Sequence, residues 1–193
     1  MSGIREIFEL PEPPRMVVQE YNTTLEEWIN IMNLSSELRN IVLSSQIVLI
    51  PEEHQDCSNV FSVYASDFYN YCKNDRGINI EICCEESDFK QLELCSFKIR
   101  LGKILATSSI AGTVFWGVIS GYVKDLIDKS VDILTPTNQV EQLPAFQKEP
   151  ECSFSAIVKD TTGKTIEIKY DGPVSGMDEA GDQIIKIMDN VND

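Results

Sequence analysis

The chain has 193 residues, of which 42% are hydrophobic and 24% charged. Those proportions suit a folded domain and exclude disordered, collagen-like and mucin-like classes. Asp and Glu number 31 against 16 Lys and Arg, a net charge of −15. That balance argues against general affinity for nucleic acid or anionic lipid, and a single histidine excludes a site needing two or three His ligands within one chain.

The first residues, Met1 to Pro14, lack a basic start, an apolar run and a small-residue cleavage site, so the expectation is a cytoplasmic protein. Ile4 to Leu10 alternates weakly and reads as a short strand, ended by Pro11, Pro13 and Pro14. Met16-Val17-Val18 resumes an extended segment. Thr24-Leu25-Glu26-Glu27 is a capping box: the Thr24 hydroxyl can accept the N3 amide while Glu27 reaches back. A helix follows to Asn33, and a second covers Ser36 to Leu43.

Ser45 to Pro51 is a continuous apolar run, β-branched and stopped by proline, which predicts a buried strand. Glu52 to Asn59 reads as polar loop. Val60 to Lys73 has helical apolar spacing, and Asn74 to Gly77 is a stop and turn. Ile78 to Cys83 alternates strictly, predicting a strand with one wetter face. Strand, helix and strand in this order form a βαβ unit with parallel strands near 45–50 and 78–83. The stretch Ser87 to Leu101 fits neither period cleanly and reads either as a strand over 92–101 or as the start of a long helix.

Positions 104 to 123 carry no charge. As one helix they would extend about 30 Å, which matches a bilayer core. Ser109, Thr113, Gly117 and Gly121 recur every fourth residue, and Gly117 to Gly121 is a GxxxG. Small residues in that register let two helix backbones approach closely. The interior Ser, Thr and Gly favour a helix packed in a soluble core or at a subunit contact; a membrane-inserting, self-associating helix and a mixed strand-and-loop segment are the alternatives. Residues 135–151, with three prolines, read as linker. Cys152 to Asp160 and Lys164 to Tyr170 flank Asp160-Thr161-Thr162-Gly163, a hairpin signal. A last helix carries Ile184, Ile185, Ile187 and Met188 on its apolar face. The expected organisation is an α/β domain over 1–134 including the 104–123 helix, the linker, and a hairpin-helix module over 152–193 that can pack on the main domain. The expected class is α/β or α+β.

Chemistry-bearing motifs are sparse. Thr162-Gly163-Lys164-Thr165 resembles the tail of a phosphate-binding loop, but Val158 stands where its first glycine belongs and strands flank it, so it reads as a turn. His54 sits among Glu53, Asp56 and Cys57 just after the buried strand, where α/β sheets place sites. Carboxylates there can raise its pKa or join it at a metal, and Cys83 or Cys84, ending the next strand, can pair with it as nucleophile. Glu52, Glu53 and Asp56 with Glu85, Glu86 and Asp88 can form an acidic rim for a divalent cation. No Cys-x-x-Cys, Gly-x-Ser-x-Gly or Gly-x-Gly-x-x-Gly occurs, so the six cysteines read as free thiols and no cofactor or metal is expected. The leading expectation is a non-enzymatic acidic interaction or regulatory protein that self-associates or binds a protein partner, not nucleic acid, through the small-residue helix. The alternatives are a membrane-associated protein inserting residues 104–123, and a small enzyme or metal-binding protein built on His54.

Overall fold

The structure, a computed structural model, describes residues 14–54, 57–92, 98–134 and 149–189. In chain order its elements are β1 (Arg15–Glu20), α1 (Leu25–Ile31), α2 (Ser36–Ser44), β2 (Ile47–Ile50), β3 (Glu52–His54), β4 (Cys57–Ser62), α3 (Val63–Asn70), β5 (Ile80–Ile82), β6 (Lys90–Leu92), β7 (Lys98–Ala106), α4 (Gly112–Leu134), β8 (Glu151–Lys159), β9 (Thr165–Pro173) and α5 (Met177–Asp189). The class is mixed α/β. Six strands form the main sheet in the order β1-β9-β8-β7-β2-β5, and β3-β4-β6 form a small second sheet.

All four residues of β2 are apolar and buried, as a strand covered on both faces requires. It pairs parallel with β5, Ile47 opposite Ile80 and Leu49 opposite Ile82. The parallel βαβ relation expected from the sequence is therefore present, with α3 between its strands. On its other side β2 pairs antiparallel with β7. A second parallel pair, β7 with β8, is joined through α4. The β8–β9 hairpin turns at Asp160, whose Oδ1 accepts from the Thr162 and Lys164 amides at 2.9 and 2.8 Å, with Gly163 at φ +87. The strands of the C-terminal segment thus lie inside the main sheet, with β1 paired antiparallel to β9 outside them.

One sheet face carries α4 and α5. Phe154 on β8 stacks on Tyr170 of β9 and meets the ring of Trp116 from α4 at 6.1 Å. Gly181 of α5 lies directly on that indole; a Cβ there would come within 2.1 Å of Trp116 Cε2. The opposite face receives α1, whose Trp28 ring lies under the Lys103 ammonium of β7. Both parts of the Thr24 capping box are present at the start of α1.

Three expectations are corrected. The uncharged run 104–123 is not one helix. Ile104, Leu105 and Ala106 complete β7, opposite Leu49, Val48 and Ile47 of β2. Thr107 then ends the strand, its hydroxyl donating to the Ser45 carbonyl at 2.9 Å, and α4 begins at Gly112. No helix among the described residues is long and apolar enough to cross a membrane. The 52–59 stretch is not polar loop but contributes to β3 and β4. The α3 helix starts at Val63 rather than Val60, because Val60 and Phe61 are buried in β4 and Ser62 caps the helix, accepting from the Ala65 amide at 3.1 Å. Tyr71–Asp75 extends α3 as a π turn. The Ile4–Leu10 strand and most of the 135–151 linker lie outside the described residues.

Candidate functional site

The α4 helix begins where Asp189, at the end of α5, presents both carboxylate oxygens. Gly112 N–H donates to Oδ1 at 2.8 Å and Thr113 N–H to Oδ2 at 3.2 Å. A carboxylate here satisfies amides that a helix start leaves unpaired and complements its dipole. Gly112 must be bare for this approach, since a Cβ would sit 2.9 Å from the Met188 Cβ. The inward side of α4 is Phe115, Trp116, Ile119, Tyr122 and Val123, all buried.

Its outward side begins with Thr113, Val114 and Gly117, all exposed, Val114 at 46%. None of these is charged. The four small residues singled out in the sequence have three different surroundings. Ser109 lies in the turn before α4 rather than on it, hydrogen-bonded to the Thr107 hydroxyl at 2.8 Å. A Cβ on Gly117 would meet open space. A Cβ on Gly121 would fall 2.8 Å from the Tyr71 hydroxyl, which accepts from Arg76 Nε at 2.7 Å. Gly121 therefore serves packing within the chain, whereas no described residue packs over Gly117.

The residues grouped around His54 in the sequence belong to different sheets. His54 ends β3, opposite Cys57 in the small sheet, whereas Cys83 and Cys84 follow β5 in the main sheet. Glu53 is exposed, and Asp56 lies outside the described residues. Cys83 and Cys84 are buried free thiols. Burial pushes Cys83 up to about 12 and raises Cys84, with neighbouring Asp88 and Glu85 adding to the rise. Neither is a thiolate near neutrality, so neither is an activated nucleophile. Burial likewise raises Cys72 and Cys152 to about 12. No group of three or more His, Cys, Asp or Glu among the described residues is placed to hold a metal ion.

Sequence reasoning missed two features. An open cleft of about 590 Å³ lies beside β5 between α2 and α3, with Leu38, Ile41, Ile82 and Phe89 as apolar lining and Glu37, Glu81, Glu85 and Glu86 as acidic lining. Glu85 Oε1 accepts the Ser35 amide at 2.6 Å and so helps start α2. The second feature is Glu167, only 2% exposed within the sheet. Its carboxylate accepts from the Ser155 hydroxyl and from Gln19 Nε2, each at 2.6 Å, with Lys169 Nζ at 3.3 Å. Burial opposes its ionisation, but those two hydrogen bonds and the lysine outweigh it and hold the carboxyl below the ordinary glutamate value. The alternation Ile166-Glu167-Ile168 reads as a wet strand face; the neighbouring strands β1 and β8, which supply Gln19 and Ser155, enclose that position.

No family model, no curated protein and no solved structure matches this chain.

Proposed function

We propose that the protein is a non-enzymatic interaction protein that docks a protein partner, or a second copy of itself, on the outward face of α4. One observation carries the reading. Gly117 stands in the interior of a 23-residue helix, exposed, with open space where a Cβ would be. A helical glycine costs about 1 kcal/mol relative to alanine, and none of the described residues packs where its Cβ would be. A bare position beside Thr113 and Val114 suits a surface that another backbone approaches closely. The acidic surface favours partners that carry compensating positive charge.

The test uses the full chain with Gly117→Leu, which fills the bare position, and Gly117→Ala as the mild control. Size-exclusion chromatography with light scattering reads self-association; affinity capture reads a partner. Association present in the natural chain and lost in Gly117→Leu, with the melting temperature retained, is the expected result. Identical association in the natural chain and a folded Gly117→Leu variant would refute it.

A further inference from the structure

The two ends of the main sheet are built differently. At one end β5 is three residues long, and the outward main-chain groups of Ile82 are already taken. Ile82 N–H donates to the Glu81 carboxylate at 3.0 Å, and the Ile82 carbonyl accepts from Cys84 N–H at 2.9 Å. Glu81, Glu85 and Glu86 gather negative charge at the same place. Capping, shortness and charge are the devices by which natural sheets close an edge.

At the other end β1 has six residues and none of these devices over its middle four, Met16-Val17-Val18-Gln19. Its ladder phase follows from Tyr21 N–H, which donates to the Thr165 carbonyl at 2.9 Å and continues the register Gln19 opposite Glu167, Val17 opposite Lys169. In an antiparallel ladder alternate residues bond the same neighbour. The odd positions therefore bond β9, and Met16, Val18 and Glu20 turn their N–H and C=O groups outward. No strand among the described residues pairs with that side. Val17 and Val18 are each 47% exposed on opposite faces of the strand.

The geometry points to β1 as a self-pairing edge that joins two copies of this chain into one continuous sheet. Only registers that face even positions with even positions satisfy the outward groups. The register that pairs all three outward residues puts Val18 opposite Val18 of the second copy on the two-fold axis, with Met16 opposite Glu20. An isologous contact of this kind closes on itself and leaves no open edge at that end. Antiparallel pairing also sets each strand's Arg15 end beside the other's Glu20 end, so opposite charges adjoin, whereas a parallel arrangement would stack like on like. The local field permits this despite the overall charge: Lys164 pairs with Glu20 at 2.6 Å and Lys169 with Glu167, while the cleft glutamates sit at the far end of the sheet. The contact is one strand pair, smaller than a standard interface, so the dimer forms in a concentration-dependent way.

Sedimentation equilibrium of the full chain over roughly 10 to 500 µM tests this. A monomer–dimer equilibrium is expected. Val18→Pro removes an outward donor without touching the β9 ladder, a place where edge strands tolerate proline. It is expected to weaken the dimer at least roughly tenfold at unchanged melting temperature. Val18→Lys, which sets two ammonium groups at the two-fold, is expected to do the same if the proline variant fails to fold. Val18→Cys under mild oxidation is expected to give a cross-linked dimer, since facing Cα atoms at such a site stand about 5.5 Å apart. A monomer throughout the range overturns the proposal. So does a dimer indifferent to the Val18 variants, and a dimer lost in Gly117→Leu alone places association on α4 instead.

Discussion

Gly117 and Gly121 stand one turn apart on α4 and meet opposite surroundings. Over Gly117 there is open space; over Gly121 there is the hydroxyl of Tyr71, fixed by Arg76. Gly117→Ala is expected to raise stability by about 0.5–1 kcal/mol, the ordinary helix gain. Gly121→Ala is expected to lower it by about 1–2 kcal/mol, because the new methyl must displace a buried ring. Thermal melts of both variants read the opposite signs; equal shifts would mean that the two surroundings are alike. The four-residue spacing of small residues was visible in the sequence, but not this division. It depends on which α4 face meets α3 and its π turn, and a one-dimensional pattern is blind to that. Gly181 shows the same limit. It sits in an acidic helix start with no pattern around it, yet the Trp116 indole occupies the space of its missing side chain. The Glu167 carboxyl is lowered on folding, so its contribution to stability is fully present above the ordinary glutamate value, about 4.3. It is lost as pH falls through the lowered folded value. Glu167→Gln is expected to cost about 1–3 kcal/mol at neutral pH and to flatten the acid side of a stability–pH curve. An unchanged acid limb would show that the carboxylate is not the group responsible.

The α4 and α5 helices are coupled end to end, since Asp189 at the last turn of one caps the first turn of the other. Asp189→Ala is expected to cost about 1 kcal/mol, the usual worth of a helix cap. Amide exchange at Gly112 to Phe115 is expected to speed up before exchange in the rest of α4. Uniform exchange along the helix would contradict a local cap. Elements with local signals were legible in advance: the Thr24 capping box, the β2 run ended by Pro51, the Asp160 turn, the alternating β5. The uncharged run misled because absence of charge reports burial, not secondary structure. Ile104 to Ala106 are buried as a central strand and Phe115 to Val123 include the buried helix face, and only the turn over 107–111 separates β7 from α4. The β3 and β4 strands were hidden for the converse reason. Their glutamates and asparagine look solvated, while β6, the second partner of β4, lies some thirty positions away.

At the scale of the molecule, β7 is the keystone of the sheet: it runs antiparallel to β2 and parallel to β8, and so joins the first half of the chain to the second. The sequence announced one parallel pair and a hairpin but not their union, because the strand joining them, β7, has an ambiguous period. Closeness in sequence to β2 did not place β3 in the same sheet. The charge is divided at this scale too. The β5 end of the sheet gathers the cleft glutamates, while Glu20 and Glu167 at the β1 end are matched by lysines.

The pairing of β1 with β9 has a consequence for how the chain is made. Glu20 faces Ile166 and Arg15 faces Asp171, so β1 must wait for a strand translated about 150 residues later. At about 5–20 residues per second, β1 spends roughly 7–30 s outside the ribosome before its neighbour exists. During that interval its Met16-Val17-Val18 stretch is an unprotected β-forming segment on a nascent chain. Chaperones that scan emerging polypeptides would meet it before the fold does, and polysomes, which hold many such chains close together, are where its premature pairing would begin.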